Sequence, residues 1–158
     1  MTKPEFKDTM KNHIVELEES IAGLSALRNI IKDFDGKVYN VRLDRAVKKE
    51  IPGFFIHHSA YSTDLSVSYR SNWSYVHILS INRGKDFDDR RINSKRILEK
   101  IDEAEEKFKK NIEQYKFDIE NAYKIVEEYN KIALELKALK DKLSYEAIEA
   151  LRYEFKRI

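Results

Sequence analysis

The chain predicts an α+β fold in one domain, with long N-terminal and C-terminal helices packed as a coiled-coil-like hairpin and a small antiparallel β-sheet inserted between them. Three patterns predict it. Apolar residues recur at alternating spacings of four and three from Met10 to Ile31, apolar and polar residues alternate strictly from Leu65 to Arg70, and the 74 residues after Gly84 contain neither Gly nor Pro. With 158 residues, such a domain has a core large enough to fold without staples. The expected division is a helix over residues 1–36, a small sheet with a short helix over 37–84, and a long helix with a short terminal one over 85–158.

Thr2 and Glu5 stand in capping-box spacing, and Pro4 is tolerated in a first turn whose N–H groups are unpaired anyway. The helix they start carries Met10, Ile14, Leu17, Ile21, Leu24 and Ile31 on one seam, with Arg28 at the remaining seam position. Asp35-Gly36 ends it, because Gly takes up the left-handed cap. A short strand is expected over residues 38–41. Asp44 is placed to start one or two helical turns through Ala46, Val47 and Ile51 before Pro52-Gly53 turns the chain.

Phe54-Phe55-Ile56-His57-His58 is the next strand candidate. Leu65, Val67 and Tyr69 alternate with Ser66, Ser68 and Arg70, the mark of a strand buried on one face, and a turn at Ser71-Asn72 leads to a partner strand over residues 75–81. Beyond, Ile97, Ile101, Ala104 and Phe108 keep one heptad phase, whereas Ile112, Tyr115, Ile119, Ala122, Val126, Tyr129, Ala133 and Leu136 keep another. The four-residue stutter between them changes packing phase without breaking a helix, so one helix is expected from near Asn93 to near Lys140. Asp141 or Ser144 would cap a last short helix. The first helix is too short to cover all of the long one; the terminal helix, a second copy of the chain in a homodimer, or a protein partner could cover the rest.

Composition excludes several chemistries. Without cysteine there is no disulfide, thiolate metal site or cysteine nucleophile. His57, His58 and His77 could meet across a sheet, but neighbours on a strand point to opposite faces, so at most one of the first two joins His77. No metal or other cofactor is expected. Ser59 and Asp64 near these histidines lack a nucleophile elbow, and seven serines between Ser59 and Ser80 make such proximity commonplace. The isolated glycines at 23, 36, 53 and 84 form no phosphate-cradling loop, and no catalytic residue is assigned.

What remains is contact. Residues 59–75 hold six serines, three tyrosines and the only tryptophan, the composition of a paratope in which broad amphipathic rings are set among small hydrogen-bonding groups. On that reading Tyr61, Tyr69, Arg70, Trp73 and Tyr75 meet a protein partner. On the other, Tyr69 and Tyr75 are cross-strand core partners and Trp73 covers the sheet edge. Residues 37–100 carry 13 basic and 7 acidic side chains, between arms that are each slightly acidic. Arg83, Lys85, Arg90 and Arg91 would extend the contact surface, or serve a nucleic acid in its place, although Asp86, Asp88 and Asp89 interrupt them.

The run Phe34-Asp35-Gly36-Lys37-Val38-Tyr39-Asn40-Val41-Arg42, directly after an amphipathic helix, resembles a pattern in small accessory proteins of phages and mobile elements of Gram-positive bacteria. Anti-CRISPR inhibitors belong to that population, and the chain is similar to them in size and in its helix-plus-small-sheet layout. The resemblance implies a non-enzymatic nuclease inhibitor that binds a CRISPR effector nuclease and blocks DNA loading or cleavage. A nucleic-acid-binding accessory factor and a structural coiled-coil scaffold are the alternatives. The N-terminal residues lack the apolar stretch of a signal peptide and nowhere do 18 apolar residues run together, so no membrane contact and a cytoplasmic location in the bacterial host are expected.

Overall fold

The computed structural model describes residues 2–38, 42–58 and 64–152. It is α+β, with helices α1 (Lys3–Ala22), α2 (Leu24–Asp33), α3 (Arg42–Glu50), α4 (Ser94–Glu120), α5 (Ala122–Lys142) and α6 (Tyr145–Ala150) and strands β1 (Phe54–His58), β2 (Asp64–Arg70), β3 (Tyr75–Asn82), β4 (Phe87–Asp88) and β5 (Arg91–Ile92). No described helix is long and apolar enough to cross a membrane. The chain forms two compact units, residues 12–114 and residues 1–11 with 115–158.

The capping box forms as expected, with the Thr2 N–H donating to Glu5 Oε2 at 2.7 Å and the Glu5 N–H to Thr2 Oγ1 at 3.4 Å. The first helix is not continuous to Ile31. It breaks at Gly23, where a Cβ would stand 2.5 Å from the Phe54 ring and 3.0 Å from Ile51, so the chain passes too close to β1 for any side chain. The buried stripe also rotates away from the expected seam: Ile14 and Ile21 are only half-buried, whereas Glu16 and Ser20 are buried beside Leu17 and Leu24. At the far end, Gly36 takes the expected left-handed conformation at φ 65°. Asp35 then caps α4, its Oδ1 accepting from the Ser94 N–H at 3.0 Å, while Ser94 Oγ donates to the Ile31 carbonyl at 2.9 Å.

The central sheet is an antiparallel meander in the order β1-β2-β3. Phe54 and Ile56 of β1, Leu65 and Val67 of β2, and Leu79 and Ile81 of β3 are all buried, and these strands pair so that the six share one face. A bulge at Val67/Ser68 leaves Ile78 outside the register, which lets Ile78 and Leu79 both be buried in succession. Asp44, inside α3, accepts from the Ile56 N–H at 3.2 Å and ties that helix to β1. Of the strand expected over residues 38–41, Val38 forms a single bridge with Arg91, and residues 39–41 lie outside the described residues. The two-residue strands β4 and β5 had no signal in the sequence, since a hairpin this short has no alternation to read.

Helix α4 runs unbroken through Asn111 and Ile112, as the stutter predicts, but the longer helix does not reach Lys140. It is interrupted at Asn121, whose Nδ2 donates to the Phe117 carbonyl at 2.9 Å. The Asn121 N–H still donates to the same carbonyl at 3.0 Å and the Ile125 N–H to the Asn121 carbonyl at 3.1 Å, so the interruption is local, and a search for Gly and Pro overlooks it. Ser144 caps α6, accepting from the Ala147 N–H at 3.3 Å.

Candidate functional site

Among the described residues, nothing covers the face of the sheet opposite the buried one. Side chains alternate along each strand, so Ser66, Ser68 and Arg70 of β2 share this face. Their register partners are His57 and Phe55 on β1, and Ser80, His77 and Tyr75 on β3. Without the bulge, His77 would be out of phase with Ser68. Phe55, His57, Ser66, Ser68, Tyr75 and His77 line a concavity of about 420 Å³. Serines make its floor low, and the rings and imidazoles of the flanking strands stand as its walls.

One end of the concavity is an aromatic and cationic cluster. The Phe55 and Tyr75 rings meet edge to face, with centroids 5.6 Å apart at 77°. The Arg70 guanidinium lies 5.2 Å from the Tyr75 ring centre, and its Nη2 donates to the Tyr75 hydroxyl at 2.6 Å. Tyr75 is 59% exposed and Trp73, in the adjoining turn, 55%. Arg70 and Tyr75 thus hold each other in place while both still face solvent.

The turn that carries Trp73 is anchored from beneath. Ser71 Oγ donates to Glu16 Oε1 at 2.6 Å and Ser74 Oγ donates to the same oxygen at 2.9 Å. Ser71 Oγ also accepts from the Trp73 and Ser74 N–H groups at 3.1 and 2.9 Å. Glu16 is only 4% exposed. Burial pushes its carboxyl up, but the hydrogen bonds from Ser71, Ser74 and His13 outweigh this and hold it below the usual glutamate value. A buried, fully bonded carboxylate therefore fixes the loop and leaves Trp73 displayed.

The residues expected to make contact are divided by the fold. Arg70 and Tyr75 come together at the hairpin end of the open face, and Trp73 is exposed in the turn between their strands. Tyr69 is on the other face, its ring 5.5 Å from that of Phe54 and its hydroxyl donating to Glu19 at 2.5 Å. That bond, with burial, pushes the Tyr69 hydroxyl up to about 12. Tyr61 lies outside the described residues. Arg83 and Lys85 occupy the β3–β4 turn, where Arg83 Nη2 is 3.1 Å from His58 Nδ1, and Arg90 and Arg91 belong to the β4–β5 hairpin. All four are exposed, and none lines the concavity.

Phe55, His57, Ser66, Ser68 and His77 were not singled out as contact residues from the sequence. The alternation of β1 and β2 places the first four on one face, whereas His77 depends on a bulge that alternation does not reveal. Asp86 is buried, taking Lys100 Nζ at 2.5 Å and the Asn82 N–H at 2.6 Å on its Oδ2, so it does not interrupt the basic surface as its position in the sequence implied. His57 and His77 share a face and His58 does not. Among the described residues no group of three or more His, Cys, Asp or Glu side chains is placed to hold a metal ion. In comparisons with known proteins, the chain matches no family, no curated sequence and no solved structure.

Proposed function

We propose that the protein acts by stoichiometric contact with a protein partner and not by catalysis, and that the open sheet face with Arg70, Tyr75 and the adjoining Trp73 is its docking surface. The observation that carries this reading is the anchoring of an exposed tryptophan. A turn held in place before binding loses little backbone freedom on contact and keeps the exposed ring on display, which favours an aromatic hot spot. The serine floor adds hydroxyls that can adapt as donors or acceptors. The resemblance of residues 34–42 to phage accessory proteins selects the partner to try first, a CRISPR effector nuclease in the bacterial cytoplasm.

The finer architecture belongs to the same reading: the N-terminal and C-terminal helices act as a coiled-coil-like hairpin that presents the sheet. Supporting it within the central unit are the heptad-spaced buried residues Ile97, Ile101, Ala104 and Phe108 and the pairing of Arg28 Nη2 with Asp102 at 3.0 Å and with Glu105 at 2.8 Å. The test is a titration of purified effector nuclease with the protein. Inhibition of DNA cleavage should saturate at a fixed molar ratio and be lost with Tyr75→Ala; inhibition that needs a large excess, or is insensitive to that substitution, would refute the reading.

The burial of Asp86 favours a second reading, in which Arg83, Lys85, Arg90 and Arg91 meet a nucleic acid, although Asp88 and Asp89 stay exposed beside them. Phosphate contacts release counterions, so affinity for a short duplex would fall steeply with added salt and flatten with Arg90→Gln and Arg91→Gln.

A further inference from the structure

Helix α5 is an amphipathic helix whose apolar side is only partly covered by the described residues. Only Ala122 and Val126, near its start, are buried. Beyond them Tyr129 and Leu139 are exposed, Ile132 is 53% exposed, and Ala133, Leu136 and Leu143 are half-buried. These residues keep a heptad register. Val126, Tyr129, Ala133, Leu136, Lys140 and Leu143 follow at spacings of three and four, with Ile132 and Leu139 flanking them on one side.

Two features specify what covers such a stripe. The first is the flank. In a parallel pair the position of Ile132 meets that of Lys137, whereas in an antiparallel pair Ile132 meets Leu139 of the other helix and no cation is set against an isoleucine. The second is charge. Residues 127–135 hold three carboxylates and one amine, and residues 136–142 hold three amines and one carboxylate. The carboxylates lie off the seam and its flanks, but Lys140 stands in the seam: parallel pairing sets it against its own copy, whereas antiparallel pairing sets it against Tyr129 and opposes the helix dipoles. The surface is thus complementary to itself, reversed.

We infer that α5 is a homodimerisation helix, which pairs with α5 of a second copy of this chain in antiparallel register about a two-fold axis near Ala133 and Leu136. A two-fold axis makes every contact twice, so a single self-complementary stripe suffices. This inference rests on residues 126–143 alone and is independent of the docking face on the sheet.

Sedimentation equilibrium of the whole protein at micromolar concentration should give the mass of two chains. Ile132→Glu with Leu139→Glu should return it to one chain with unchanged helical circular dichroism, since both residues are solvent-facing within the monomer. Orientation is read separately, because the chain has no cysteine of its own. Tyr129 and Lys140 are opposed in the antiparallel register, so a mixture of Tyr129→Cys and Lys140→Cys chains should form a disulfide-linked dimer. Tyr129→Cys alone should not, its two copies lying eleven residues apart along the helices, about 16 Å. A wild-type monomer, a dimer that survives both glutamates, or efficient linkage of Tyr129→Cys to itself would overturn the inference.

Discussion

Ser71 Oγ donates to Glu16 Oε1 at 2.6 Å across 55 residues of sequence, fastening the β2–β3 turn to the buried side of α1. The same oxygen takes the Ser74 hydroxyl, and the other carboxylate oxygen lies 3.3 Å from His13 Nδ1. The turn is therefore ordered by a charge, and not by glycine or proline.

Removing that charge should loosen the turn without opening the core. Glu16→Ala removes two hydrogen bonds to a charged acceptor, and although Ser71 Oγ keeps the Ser74 carbonyl at 2.9 Å and Ser74 is exposed, the loss should cost about 2 kcal/mol. The carboxyl's folded-state value is depressed, so its contribution is complete above the unfolded glutamate value of about 4.3 and is lost as pH falls through the lower folded value. Wild type and Glu16→Gln should therefore differ in unfolding midpoint at neutral pH and converge in acid. A constant gap between them would show that the charge does not act.

Gly23→Ala sets two effects against each other. In an open helix, alanine is better than glycine by about 1 kcal/mol. Here the new methyl would stand 2.5 Å from the ring of Phe54, which is itself buried. Overpacking of this kind costs about 1–3 kcal/mol and should win, lowering the unfolding midpoint. Phe54→Leu added to Gly23→Ala should recover part of the loss, an epistasis that helix propensity alone does not produce.

These two sites also show what the sequence could reveal. Strand β2 and its hairpin with β3 were legible because one face is buried and alternation records that, and β1 was legible as an apolar run, but its pairing with β2 was not. The capping box at Thr2 and Glu5 and the left-handed Gly36 were legible because each depends on neighbours within a few residues. The break at Gly23 was not, because its cause is Phe54, thirty-one residues away, and a lone glycine in a heptad pattern is commonly tolerated. Burial of Glu16 was hidden for the same reason: its partners are hydroxyls on a distant turn, and a glutamate on a charged helix reads as solvated. The open face was half legible, since serine, tyrosine and tryptophan composition marked the hairpin, but the walls come from Phe55, His57 and His77 through pairing.

Asp89 and Arg90 form the β4–β5 turn with φ of 52° and 71°, and neither is glycine. Left-handed backbone costs a side-chain-bearing residue about 1–2 kcal/mol, less for Asp than for Arg. Arg90→Gly should therefore stabilise the protein by about 1 kcal/mol in thermal or denaturant unfolding. An Arg90→Ala control removes the cation but keeps the Cβ and should gain nothing. If Ala and Gly stabilise equally, the guanidinium and not the backbone is the source of the strain.

Trp73 separates contact from covering. Its ring is more than half exposed, while its backbone N–H is held by Ser71. Removing the ring by Trp73→Ala leaves the anchoring hydrogen bonds intact, so folding stability should change by no more than about 0.5 kcal/mol. Were the ring instead a cover for the core, truncation would cost about 3–5 kcal/mol. If the sheet face is the docking surface, the same substitution should weaken partner binding by about 2 kcal/mol or more. The unfolding midpoint and the partner affinity of this one variant therefore move oppositely under the two readings. Glu16→Ala gives the complementary case, because it leaves the indole in place and releases the turn. Its binding loss should appear chiefly as a slower association or a larger entropic cost, and equal binding by Glu16→Ala and wild type would show that anchoring of the tryptophan contributes nothing to recognition.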